Sequence, residues 1–265
     1  METRMADDLV LSETHGAVAL LTINRPAALN ALDLATLEAF ERAFVAAEAD
    51  PARRAIVITG AGERAFVAGG DIRDLDSRQG LAHYLELGEA LHRVFNRVER
   101  CDKPTIAAVN GFALGGGTEL LLCTDLRILA ETARLGLPEI NLGLFPGAGG
   151  SQRLIREIAP CRARELMFLG EQIGAEQALA LGLANRVVPR AEVVPEALAL
   201  AERLAAKSPL VLKLLKRTLR AGAEMPLPQA LAHEHAMIGL VLDSADAHEG
   251  CRAFAEKRPA RFTGR

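Results

Sequence analysis

The sequence contains no apolar run of about eighteen residues, the length a membrane-spanning helix requires, and no block of lysine or arginine. The first absence argues against a transmembrane segment, and the second against a nucleic-acid partner, because neutralising a run of phosphates needs clustered cations. Net charge is −3, with charged residues forming 25% of the chain, so both signs are interspersed. Cysteine is scarce as well: Cys101, Cys123, Cys161 and Cys251 lie far apart, with no Cys-x-x-Cys pair to hold zinc and no disulfide framework. They read as reduced thiols. Met1 to Asp8 carries three acidic residues and no apolar core of signal-peptide length, so the expected location is the cytoplasm.

Half of the 265 residues are apolar, enough for a substantial core in one or two domains. Short runs rich in Val, Ile and Leu alternate with helical patterns, which predicts an α/β protein. Leu9 to Ser12, Val18 to Ile23, Ala55 to Thr59, Thr105 to Val109 and Leu126 to Ala130 read as strands. Leu32, Leu34, Leu37, Phe40 and Phe44 outline a helix ending near Ala49, and a second is expected from about Leu81 to Val98. Another opens near Ser151, after the Pro146 to Gly150 turn. Beyond Ala191 only helices are expected, over Ala191 to Ala206, Pro209 to Ala221, Leu227 to Val241 and Asp246 to Glu256. The division is therefore a core over residues 1–190 and a helical region over 191–265, which either caps the core or packs on another subunit.

Three segments can carry chemistry. Gly115-Gly116-Gly117-Thr118-Glu119 follows a strand and opens an apolar helical run. Glycine is a poor helix former, so a triplet there points to close approach of something to the backbone. The first N–H groups of a helix lack partners and sit at its positive end, suited to a developing oxyanion. Gly116 is such a donor, and Glu119, three residues on, shares its face. Ala65 to Asp71 is a second glycine turn, offering the Gly70 N–H. In Leu137-Pro138-Glu139-Ile140 a glutamate sits among apolar neighbours, and burial there would raise its pKa as a general acid requires. Taken singly, each segment is better explained by an ordinary helix terminus, an Asp71-capped loop or a surface glutamate at a strand start.

Spacing argues against several other chemistries. Gly60-Ala61-Gly62 lacks the third glycine of a dinucleotide loop, and no G-x-x-x-x-G-K-[ST] occurs. Ser151 lacks the final glycine of the serine-hydrolase elbow, and His233-Glu234-His235 does not place two histidines on one helical face.

Taken together, Ile23 to Pro26 with Leu29 to Leu32, Ala65 to Asp71, Pro104 to Gly117, Leu137 to Glu139, Pro146 to Arg153 and Phe254 to Pro259 resemble the crotonase, or enoyl-CoA hydratase and isomerase, superfamily over nearly the whole chain. The resemblance implies a crotonase-like spiral of ββα units with a C-terminal helical trimerisation region, assembled as a homotrimer or dimer of trimers. It implies an oxyanion hole from the N–H groups of Gly70 and Gly116, with Glu119 and Glu139 as the two catalytic glutamates; Glu119 is assigned as the base toward water and Glu139 as the acid serving Cα. It also places Ala68 at the adenine of coenzyme A, Arg25 near its phosphates, and Phe254 and Lys257 at a pocket often completed by a neighbouring subunit. Coenzyme A is then part of an acyl-CoA thioester substrate, with no separate cofactor and no metal. Both glutamates together favour a hydratase. An isomerase, another acyl-CoA enzyme of this fold, or a catalytically silent coenzyme A binder remain the alternatives. Acyl-tail contacts are expected between Asp74 and Arg97, where His83 and Tyr84 are candidates, and from the C-terminal helices.

Overall fold

The computed structural model describes residues 9–77, 80–81 and 84–265. His83 and the side chain of Tyr84 lie outside the described residues. Strands β1 (Val10–His15) and β2 (Val18–Ile23) form an antiparallel hairpin. Strands β3 (Ala55–Gly60), β5 (Thr105–Val109), β7 (Leu126–Ala130) and β10 (Arg186–Val188) continue that sheet in parallel, in the order β1-β2-β3-β5-β7-β10. Every residue of β3 and β5 is buried. Interior parallel strands are covered on both faces, which is why these segments read as continuous apolar runs with no alternation.

A smaller sheet arises because each of three successive large-sheet strands is followed at once by a three-residue strand. These are β4 (Ala65–Val67), β6 (Phe112–Leu114) and β8 (Arg134–Gly136), which pair in parallel, with β9 (Gln172–Gly174) antiparallel at the edge. Each such pair leads into helical chain: α2 (Ile72–Ser77) and α3 (Glu89–Arg100) after β4, α4 (Gly116–Leu122) after β6, and a 3-10 turn (Pro138–Leu142) then α5 (Gly150–Glu157) after β8. This is the spiral of ββα units. Two buried asparagines fasten its inner turns: Asn30 Nδ2 donates to the carbonyls of Ala61 and Ala65, and Asn110 Nδ2 to those of Gly60 and Gly62.

Helix α1 (Leu34–Ala49) begins where Asp33 accepts the Thr36 N–H, and it buries Leu37, Phe40 and Phe44 at helical spacing. Burying each of those side chains stabilises the fold by roughly 1.5–3 kcal/mol. The helix expected over Leu81 to Val98 differs. A five-residue π segment, Tyr84–Gly88, precedes α3, so the register shifts within the expected run. Helices α6 (Pro160–Leu169) and α7 (Ala175–Ala180) were not anticipated from periodicity.

Four C-terminal helices follow, as expected: α8 (Val193–Ala205), α9 (Pro209–Gly222), α10 (Leu227–Leu242) and α11 (Ala245–Ala255). Helix α8 packs on β2, β3, β5 and β7 through Val193, Ala197 and Ala201, and so completes the core. By contrast α9 and α10 bury no residue fully and leave Leu219, Leu227, Leu231, Leu240 and Leu242 exposed. Among the described residues no helix is long and apolar enough to cross a membrane.

Candidate active site

The small sheet assembles the site. Its strands β4, β6 and β8 run parallel, so the chain leaves all three at the same edge, bringing Gly69-Gly70, Gly115-Gly116 and Glu139 side by side. Gly115 N–H donates to the Gly136 carbonyl at 2.9 Å, holding the start of α4 against the end of β8. Thr118 adds a second tie, with Oγ1 2.6 Å from the Ala113 carbonyl and accepting the Gly136 N–H at 3.2 Å.

The glycines at this junction are required by space. Gly115 has φ +51, and a Cβ there would lie 2.9 Å from Glu139 Oε1. A Cβ on Gly117 would sit 1.9 Å from the Val67 carbonyl oxygen, because α4 rests directly on β4. A Cβ on Gly116 would lie 3.7 Å from Gly70 N, an ordinary contact, so the start of α4 stands beside the Gly69-Gly70 turn. Neither the Gly70 nor the Gly116 N–H donates to a protein acceptor among the described residues. Gly116 is the first residue of its helix, where an unengaged N–H is expected.

Glu119 is 3% exposed. Its Oε1 accepts the N–H groups of Ala148 and Gly150, each at 2.8 Å. Gly150 opens α5, so this carboxylate sits at a helix N-terminus. A Cβ on Gly150 would lie 2.8 Å from Glu119 Cγ, which limits that position to glycine. Burial pushes the Glu119 carboxyl up, opposed by the hydrogen bonds from Gly150 and Ala148. Glu139 lies in the 3-10 turn rather than at a strand start, half-buried, and its Oε2 has no hydrogen-bond partner among the described residues. Burial pushes its carboxyl up to about 7; its own backbone N–H opposes that rise and the Glu119 charge adds to it. One carboxyl is thus held rigidly, while the other titrates near neutrality, well above the usual carboxylate range.

Four of the expected residues therefore meet in one place: Gly70, Gly116, Glu119 and Glu139. Ala68 precedes the glycine pair; its N–H donates to Leu29, and its carbonyl accepts no hydrogen bond among the described residues. Arg25 is turned inward. Its Nη2 lies 3.1 Å from both Asp33 Oδ2 and Asp71 Oδ2, and its Nη1 donates to the Ala31 carbonyl at 2.6 Å. Any phosphate contact by Arg25 competes with these two carboxylates, and in this chain it braces the Gly70 loop through Asp71. Phe254, 87% exposed, and Lys257 stand on the surface of α11 and its C-terminal turn. No hydrogen bond or ion pair among the described residues ties either to the glutamates. The N–H groups of Ala148 and Gly150 were not singled out from the sequence. Their signal was the glycine turn opening α5, a helix terminus of the same kind as Gly116.

The profile described as enoyl-CoA hydratase/isomerase matches residues 13–265. A 2,3-dehydroadipyl-CoA hydratase of Escherichia coli is 42% identical over 258 residues, 97% of this chain and 99% of that protein. A crotonyl-CoA hydratase of Syntrophomonas wolfei is 40% identical, with the same coverage of both chains. The crystal structure of an enoyl-CoA hydratase from Bacillus anthracis superposes with a TM-score of 0.94 at 36% identity, covering 97% of this chain and 100% of that one. The chain belongs to the enoyl-CoA hydratase/isomerase family, and its spiral is the fold of that family.

Proposed function

We propose that this protein is an enoyl-CoA hydratase, adding water across the 2,3 double bond of a 2-enoyl-CoA thioester to give a 3-hydroxyacyl-CoA. The observation that carries this reading is the pairing of two acidic side chains, both with raised pKa, beside two unengaged glycine N–H groups. The thioester carbonyl accepts the N–H groups of Gly70 and Gly116. As water attacks Cβ, the C–O bond forms and the π electrons move to the carbonyl oxygen, whose charge the two donors stabilise. One such donor contributes about 3 kcal/mol to lowering the barrier. Glu119, aimed by Ala148 and Gly150, takes the proton from water. Glu139, whose raised proton affinity leaves a substantial protonated fraction near neutrality, delivers a proton to Cα as the enolate collapses.

Coenzyme A is part of the substrate in this scheme, and no separate cofactor or metal takes part. Ala68 would receive the adenine through its free carbonyl, and Arg25 would stand at the edge of the phosphate path. The exposed apolar faces of α9 and α10, together with the exposed Leu142, Leu144 and Phe145, support a homotrimer or dimer of trimers. In such an assembly Phe254 and Lys257 serve a neighbouring copy's pocket. The site of action is the cytoplasm. The test is the ultraviolet absorbance of the conjugated enoyl thioester: crotonyl-CoA should lose that band when the protein is added. A folded, assembled protein that leaves the absorbance of crotonyl-CoA and longer enoyl-CoA esters unchanged would refute the proposal.

A further inference from the structure

Glu119 is held by a turn, and that turn is itself held. The Arg153 guanidinium lies against residues 148 to 150: Nη1 donates to the Ala148 carbonyl at 3.2 Å, and a Cβ on Gly149 would sit 1.9 Å from Nη1. Gly149, at φ +105, is thus the only residue type that admits this stacking without strain. The other side of the guanidinium is anchored on α3. Nε and Nη2 donate to the two oxygens of Glu99, at 2.9 and 2.8 Å, and Nη2 also reaches Asn96 Oδ1 at 2.7 Å. This forked grip is a geometry that lysine cannot reproduce. The Arg153 bonds hold the Glu99 carboxyl below the usual range, as a formed ion pair requires.

We infer that Arg153, clamped to α3 by Glu99 and Asn96, is a positioning residue for the hydration reaction: it fixes the Ala148 to Gly150 turn whose two N–H groups aim the Glu119 carboxylate. The inference rests on the reading of Glu119 as the base. A carbonyl gripped by Arg153 and an N–H gripped by Glu119 belong to the same residue, Ala148, so the peptide planes of the turn are fixed from both ends. Without the arginine side chain, the Ala148 carbonyl loses this partner; the Gly149 carbonyl still accepts the Gln152 and Arg153 N–H groups, but among the described residues Glu119 is then the one side chain bonded to the Ala148 and Gly150 N–H groups, and the carboxylate loses its fixed direction. Among the described residues, the charged and titratable groups that interact electrostatically with Glu119 are Glu139, His92, Cys123 and Arg153.

The experiment uses the full-length protein with crotonyl-CoA. Arg153→Gln should lower kcat by roughly 10- to 100-fold with KM nearly unchanged, and should move the acidic limb of the kcat profile to higher pH as Glu119 loses its donors. Arg153→Lys should restore only part of the loss, since it returns the charge but not the fork. In a Glu119→Gln background, Arg153→Gln should have no further effect on kcat, because the residue it positions is gone. An equal loss in both backgrounds, or a wild-type profile in Arg153→Gln, overturns the inference. Should Arg153→Gln fail to fold, the Glu99→Gln/Asn96→Ala double variant retains the Arg153 side chain but releases its clamp to α3, and it should show a pH displacement in the same direction with a smaller loss. Unchanged kinetics there would equally overturn the inference. Isotope-edited infrared titration of the Glu119 carboxyl gives a readout that needs no turnover. Its midpoint should rise in Arg153→Gln even if the wild-type protein does not hydrate crotonyl-CoA, so the two readings fail separately.

Discussion

Replacing Glu139 by Gln should make the stability of the folded protein less sensitive to pH. The side chain sits in the 3-10 turn with one oxygen buried and unpartnered, and burial raises its carboxyl from the ordinary 4.5 to about 7. A group whose folded pKa is raised binds its proton more tightly in the native state than in the unfolded one. Its contribution is therefore present in full below about pH 4.5 and is lost as pH rises through about 7. At about 1.4 kcal/mol per pH unit the full loss would be about 3 kcal/mol. Solvent reaching this half-buried group reduces that to the order of 1–2 kcal/mol. For a chain of this size that corresponds to roughly 2–6 °C in Tm. Melting curves for wild type and Glu139→Gln, recorded at about pH 5 and about pH 8, should show the wild type falling relative to the variant by that amount. A constant offset from burying an amide cancels in the comparison. A gap between the two proteins that does not change with pH would refute the burial reading, and so would a wild type that gains relative to the variant as pH rises.

Other outcomes follow from the same geometry. Glu119→Gln and Glu139→Gln should each lower hydration by roughly 10²-fold or more while leaving acyl-CoA affinity nearly intact, as measured by turnover and calorimetry; undiminished turnover in either would remove its assigned role. The wild-type kcat should decline as pH rises through about 7, where Glu139 ionises, and that limb should be missing from the residual activity of Glu139→Gln. Gly116→Pro deletes one oxyanion donor at a helix position that accepts proline, so activity should fall by roughly 10²- to 10³-fold in a folded protein. Gly117→Ala should cost about 1–3 kcal/mol or more, seen as a lower Tm, because its Cβ meets the Val67 carbonyl.

The sequence alone determined a good deal of this protein. Continuous apolar runs announced β3 and β5, and the spacing of Leu37, Phe40 and Phe44 announced α1. The glycine triplet before Glu119 marked a helix start with free donors. These are local properties, written in periodicity and backbone freedom, and they survive without knowledge of the rest of the chain. Strands of three residues are too short to show alternation, so the small sheet of β4, β6, β8 and β9 was not legible as a sheet. Yet its parallel pairing is what sets Gly70, Gly116 and Glu139 side by side. Likewise no spacing rule links Glu119 to Ala148 and Gly150, or Arg153 to Glu99. Those hydrogen bonds span from 29 to 54 residues of chain. Whether a carboxyl is buried, paired or left with an unpartnered oxygen depends on which distant segments close over it. Tertiary packing alone therefore decided the proton affinities of the two glutamates.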